Sequence, residues 1–347
     1  MARQTEKPDG LTQLKNALRE NKPAGLYVFH GEEVYLLHHY LDQMRSKLLD
    51  ELTADFNYHR FTQETFDLQM FLDAVENMPM MAERSLVQVD EVDIFKLPEG
   101  DRDQLARTLA DIPDYCTVIF AYEITPWNPV KKAGELYSVI CNHARIVEFA
   151  KQSQRDLVAW IGRHFAAHKK TISTDLCLYL IEITGGTMTA IGSEIAKIAA
   201  YSGADQIKKS DIDAVTEPVL DSVVYHMTDH IASGEYEKAF MKLQQLFKLH
   251  QEPLSILGAV GGHLRRLATA RVLLDHGKSA GELLQYYKMG DYAAKKLMSS
   301  ARRFSPRFFE TASSLVLETD YQIKTSQDDP QRLLETLILQ LSQEARK

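Results

Sequence analysis

Asp90 and Glu91 end the run "RSLVQVD" (84–90) and its next residue. An acidic pair in that place resembles the end of a strand that holds magnesium beside a nucleotide triphosphate. Such a site needs a second part. After the first strand, glycines must bring backbone N–H groups onto phosphate, followed by Lys-Ser or Lys-Thr. The chain offers "FHGEEVYLLHHY" at that point. Gly31 is present, but the second glycine, the lysine and the hydroxyl residue are missing. Glu32 and Glu33 set negative charge where phosphate would sit, which is repulsive. Asp90, Glu91 and Asp93 then read as residues that cap a strand and solvate a loop. A divergent ATPase acting through Asp90 and Glu91 is the alternative, and no other catalytic residue is expected.

Other groupings carry less. His226 with Asp229 and His230, and His164 with His168, have a four-residue spacing that suits one helix face. Neither pair has the intervening glutamate of a zinc hydrolase. No metal and no cofactor are expected. "ITGGT" (183–187) superficially resembles a phosphate loop, but it follows a helical run that its glycines would end.

The elements that must position these residues fall into two regimes. Up to residue 150, β-rich runs alternate with helical patterns. The strand candidates are "GLYVFHG" (25–31), "FNYHRFT" (56–62), "RSLVQVD" (84–90), "CTVIFAY" (116–122) and "ARIVEFA" (144–150). "EVYLLHHYLDQMRSKLLDEL", "TFDLQMFLDAVEN" and "DRDQLARTLADIP" lie between them with apolar residues at helical spacing. This alternation predicts a parallel sheet covered on both faces, a nucleotide-binding type of architecture. Beyond Phe149 the pattern is helical to the end. Residues 151–215 read as a small helical bundle, with Ser210 and Asp213 at the start of its last short helix. Pro218 marks the next boundary, and 216–347 reads as a separate helical domain. Ser305-Pro306 is a helix start, and Gly234 and Gly277 are helix stops. No tandem repeat or low-complexity tract interrupts the chain.

Composition bounds the partners. The 347 residues are 45% hydrophobic and 25% charged, ordinary values for a soluble globular protein of two or three domains. No run approaches the roughly eighteen apolar residues of a membrane span, and "MARQTEKPDG" has no signal-peptide core. Cys116, Cys141 and Cys177 are widely spaced, which points to a reducing, cytoplasmic location rather than a disulfide framework. A net charge of −8 excludes a fully basic nucleic-acid coat. One segment departs from it: Arg265 to Arg307 holds ten Lys or Arg against three Asp or Glu, a local +7. Arg265, Arg266, Arg271, Lys295, Lys296, Arg302, Arg303 and Arg307 could meet phosphate or an acidic partner. A solvated helix face is the plainer reading of the same charges.

Five pieces in order then carry a resemblance: "GEEVYLL", "MPMMAERSLVQV", "GSEIAKIAAYSG", "PLSILGAVGGHLRRLATARVLL" and "ETDYQIKTSQDDPQRLLETLI". Together they resemble the delta subunit of the bacterial DNA polymerase III clamp loader, from about residue 20 to 345. The pairing of "DYQIK" with the downstream "DPQRLLE" is its most specific part.

The resemblance implies an AAA+-like (RecA-like) first domain over 1–150 without a working ATP site. It implies a small helical lid over 151–215 and an all-α collar over 216–347. Its partners would be the sliding clamp (beta), the ATPase subunits gamma/tau, delta prime, and primer-template DNA within the complex, with no membrane. Delta subunits hold the ring-shaped clamp and favour its open form. They have no catalysis of their own, although the family is often labelled a DNA-directed DNA polymerase by association. The family's clamp-binding element is an apolar cluster before the third strand, which corresponds here to Met78, Met80 and Met81. This chain carries Met80-Met81 where a leucine-phenylalanine pair is commoner. Read alone, these methionines would be assigned to the core. Pro79 disfavours helix at Met78, however, so Met80 and Met81 belong to a helix-to-strand loop on the sheet edge opposite Gly31. With the resemblance they read as docking residues, with Met78 partly packed.

Overall fold

A computed structural model describes residues 9–20, 23–287 and 289–346. The polar N-terminal stretch 1–8 lies outside the described residues. The chain divides into two compact units, Met1–Gln152 and Ser153–Lys347.

In the first unit, β1 (Gly25–His30), β2 (Tyr58–Phe61), β3 (Ser85–Asp90), β4 (Cys116–Tyr122) and β5 (Arg145–Glu148) form one sheet in the order β2-β3-β4-β1-β5. Every pairing is parallel. Alternate residues of each strand face opposite ways, and both faces are covered. Leu26, Val28, Val87, Val89, Val118 and Phe120 pack with side chains of α4 (Leu68–Glu76), α5 (Glu99–Ala110) and α6 (Glu135–His143), among them Phe71, Leu105 and Ile140. Tyr27, Phe29, Leu86, Ile119 and Val147 pack with Leu14 of α1 (Gly10–Arg19) and with Leu37 and Met44 of α2 (Val34–Leu48). The sequence pattern did not mark α1. It begins at an Asp9 cap, whose carboxylate accepts from the Thr12 amide at 2.6 Å.

The expected second strand is shorter than its apolar pattern. Its first residues form a single helical turn, α3 (Ala54–Asn57), and only Tyr58–Phe61 pair with β3. The reason is local: the Asn57 side chain turns back to bond Thr53 O at 3.0 Å, which closes the turn.

The second unit is helical. α7 (Gln154–Ala167), α8 (Thr174–Ile183), α9 (Met188–Tyr201) and α10 (Lys209–Val215) precede residue 216. α11 (Leu220–Ala232), α12 (Tyr236–Lys248), α13 (Pro253–Asp275), α14 (Ala280–Tyr286), α15 (Asp291–Ala301), α16 (Pro306–Thr325) and α17 (Pro330–Glu344) follow it and share one core. Ser305 caps α16 with Pro306 in its first turn. Gly185, Gly186, Gly234 and Gly277 all take positive φ after helix ends, which confirms "ITGGT" as a helix stop. The cap of α10 differs from the expected Ser210–Asp213 pair. Asp211 accepts from the Lys208 amide at 2.9 Å, while Asp213 bonds Tyr179 and Lys209. Among the described residues, no single helix is long and apolar enough to cross a membrane.

Candidate functional site

Gly31 leaves β1 with φ +137, and a Cβ there would meet the Phe149 carbonyl oxygen at 2.3 Å. Only glycine fits so close a backbone. The contact is held on both sides. The Phe149 amide donates to His30 O at 2.7 Å, and the Glu33 amide donates to Phe149 O at 2.9 Å. An amide at the place where a phosphate loop would face its ligand is therefore committed to the chain's own backbone. Glu33, the residue before α2, is only 5% exposed, so an acidic residue is buried at the helix start, where the dipole would otherwise favour a bound anion. Trp127 packs beside the same strand ends, its ring 5.0 Å from Tyr122, 5.5 Å from Phe95 and 6.4 Å from His30.

Both acids of the pair that the alternative, ATPase reading would use are engaged. Asp90 accepts from Arg60 Nε at 2.6 Å and from Gln88 Nε2 at 2.7 Å. Glu91 has φ +62, and its carboxylate accepts the backbone amides of Glu123, Ile124 and Thr125, the last at 2.7 Å. Burial works against ionisation of Glu91, yet these amides outweigh it and hold its carboxyl below the usual range.

The methionine loop joins α4 to β3, so it lies at the N-terminal edge of the parallel strands, opposite Gly31. Met78 is 82%, Met80 56% and Met81 90% exposed. Met78 is thus not packed; Met80 is the more covered of the three. The stem of the loop is fixed on both sides. Tyr115 Oη donates to Glu76 O at 2.6 Å, the Ser85 amide donates to Tyr115 O at 2.9 Å, and the Arg84 guanidinium donates to Pro23 O at 3.2 Å. Between them, Asn57 brackets one residue. The Met80 amide donates to Asn57 Oδ1 at 2.7 Å, and Asn57 Nδ2 donates to Met80 O at 2.9 Å. Met81 follows with φ +54. A non-glycine residue in that region costs about 1 kcal/mol or more, so surrounding contacts must hold it there. The loop is a fixed stem with an apolar tip in solvent.

Sequence reasoning missed Asn57, Tyr115 and Arg84. An asparagine inside a β-rich run, "FNYHRF", is the one available signal, because asparagine favours turns over strands.

The basic segment is less uniform than its composition. Lys296 is paired with Glu182 at 2.7 Å and sits 4.2 Å from the Tyr225 ring centre. Arg266 lies 3.8 Å from Asp221, and Arg271 pairs with Asp275 at 2.9 Å. Arg303 bonds Asp229 and Ser233, the latter at 2.6 Å. Arg265, Lys295, Arg302 and Arg307 are exposed. Arg302 and Arg307 make no ion pair among the described residues.

The histidines do not converge. His226 faces Glu182 at 3.4 Å, and His230 bonds Glu235 at 2.7 Å. His164 packs its ring on Trp160. No group of three His, Cys, Asp or Glu that could hold a metal ion occurs among the described residues.

Family comparison bears on the chain as a whole. A model of the DNA polymerase III delta subunit matches residues 27–150, and one of the C-terminal domain of the same delta subunit matches residues 221–341. The chain belongs to the DNA polymerase III delta subunit family. It is similar to the DNA polymerase III subunit delta of Bacillus subtilis (strain 168), 22% identical over 330 residues, covering 94% of this chain and 95% of that one. It is also similar to the probable DNA polymerase III subunit delta of Aquifex aeolicus (strain VF5), 20% identical over 269 residues, covering 75% of this chain and 74% of that one. The solved structure of the Bacillus subtilis DNA clamp loader delta protein superposes with a TM-score of 0.65 at 22% identity, over 96% of this chain and 99% of that one. The delta-subunit fold is therefore shared along nearly the whole length.

Proposed function

We propose that this delta-family chain binds a ring-shaped sliding clamp, favours or holds its open form, and helps load it onto primer-template DNA during replication. It does so without hydrolysing ATP. The observation that carries this reading is the loop of Met78, Met80 and Met81: three exposed apolar side chains on a stem fixed by hydrogen bonds. Exposed apolar clusters of this kind mark contact sites. Methionine adapts its unbranched side chain to a partner pocket, and a fixed backbone lowers the ordering cost of binding.

The first unit is the clamp-binding body in this account. The helices of 151–215 serve as a lid, and those of 216–347 as a collar that assembles with gamma/tau ATPase subunits and delta prime. Energy for loading comes from those ATPases. The backbone closure at Gly31, the buried Glu33 and the Arg60–Asp90 pair all support a chain that takes no nucleotide of its own. The test is co-purification of the full chain with a purified sliding clamp. Retention of the clamp on the immobilised chain supports the reading; a clamp that elutes as it does from an empty column removes it.

A further inference from the structure

Phe56 is 61% exposed and Leu52 90% exposed, although both are large apolar residues. Both flank or belong to α3, whose last residue is Asn57, the residue that brackets Met80. The sheet register brings their segment to the same edge as the methionine loop. Tyr58 of the edge strand β2 pairs with Leu86 of β3, so the residues just before each strand emerge at one edge. Adjacent Cα atoms are about 3.8 Å apart, so Phe56 is one residue away from the side chain that bonds Met80. Asn57 itself is 1% exposed. The turn thus sends its amide inward and leaves the neighbouring phenylalanine outside.

We propose that the docking surface is larger than the methionine loop, with Phe56 as a second apolar anchor and Asn57 as the residue that positions Met80 and Met81. This rests on the clamp-binding reading above. Leu52, Phe56, Met78, Met80 and Met81 are exposed apolar residues of the two segments that the Asn57–Met80 bonds join, and exposed Asp50, Glu51, Asp55 and Glu83 belong to the same two segments. The partner that fits is a clamp surface with an apolar pocket and a basic rim. Asn57 acts through the main chain. Its carbonyl oxygen and amide nitrogen fix both polar groups of Met80. The next residue is thereby turned into the left-handed region, with its side chain in solvent.

The experiment titrates the purified clamp onto the full chain and onto Phe56→Ala, Asn57→Ala and Met80→Ala/Met81→Ala variants. Each variant's denaturation midpoint and the hydrogen exchange of the Met80 amide are measured beside it. Phe56→Ala should weaken binding roughly tenfold with an unchanged midpoint, since an exposed side chain leaves no cavity. Asn57→Ala should weaken binding by a similar factor with both methionines present, and should speed exchange at Met80. If Asn57→Ala does not fold, Asn57→Ser replaces it. Normal affinity in Phe56→Ala and in the folded Asn57 variant, beside weak binding in the methionine double variant, would overturn this inference and leave the clamp-binding reading intact. Normal affinity in the methionine double variant would overturn the reading itself.

Discussion

Arg60 and Asp90 are joined from β2 to β3, Nε to Oδ2 at 2.6 Å. The pair sits where a magnesium-holding carboxylate would end its strand, and the charge that Asp90 faces there is a guanidinium. Arg60 remains more than half exposed, so the pair adds little stability. Its consequence is chemical: Asp90 already has a fixed positive partner.

No tight nucleotide binding is expected. Calorimetric titration of the isolated chain with ATP and magnesium should show no submicromolar site. Asp90→Asn and the unaltered chain should release phosphate at the same background rate. Turnover that Asp90→Asn abolishes would contradict this account and favour an ATPase.

Stability should fall as the pH is lowered, and His263 should account for part of the fall. His263 is 4% exposed, and its Nε2 makes no hydrogen bond among the described residues. Burial first, then the nearby Arg266 charge, pushes its pKa down to about 3. An unfolded histidine titrates near 6.5. Between those values the unfolded chain binds the extra proton. The stabilisation from a neutral His263 is thus complete above the unfolded value and declines as pH falls toward the folded one. The loss at pH 5 is about 2 kcal/mol. Denaturation at about pH 7.5 and pH 5 should show a smaller stability difference for His263→Leu than for the unaltered chain. An equal difference in both would assign the acid sensitivity elsewhere.

The basic segment should divide by its pairing. Arg302 and Arg307 are exposed and unpaired among the described residues, whereas Lys296 and Arg303 hold Glu182 and Asp229. Arg302→Gln/Arg307→Gln in the assembled complex should lower the salt slope of primer-template binding by about 2. Lys296→Gln should change the midpoint more than the slope. An unaltered slope in the arginine double variant would remove DNA phosphate from the account of these residues.

Much of the fold was legible because its signals are local. Short β-rich apolar runs set between helical patterns marked the strands, and Gly185, Gly186, Gly234, Gly277 and Ser305-Pro306 marked helix ends. The missing phosphate loop was legible too, since the required residue types are absent. What escaped depended on contacts across the sheet. The polar face of α1 hid a helix whose apolar residues Leu14 and Leu18 are covered only once the sheet and α2 pack on them. Asn57 looked like a strand residue because its partner, Met80, lies 23 positions away. The segment's +7 gave no sign that Lys296 and Arg303 face carboxylates from other helices. The exposure of Met78 likewise required the loop's fixed path.

The central claim is that Met80 and Met81 anchor the clamp. Its most direct test is the clamp dissociation constant of Met80→Ala/Met81→Ala, measured beside the denaturation midpoint of the same protein. An interface anchor commonly loses about 2 kcal/mol or more on truncation, roughly thirtyfold in affinity. The account predicts at least that loss with a midpoint close to the unaltered chain, because these side chains stand in solvent. A midpoint lowered by a core-sized amount, about 2–5 kcal/mol for each methionine, with clamp affinity unchanged in the folded fraction, would contradict it.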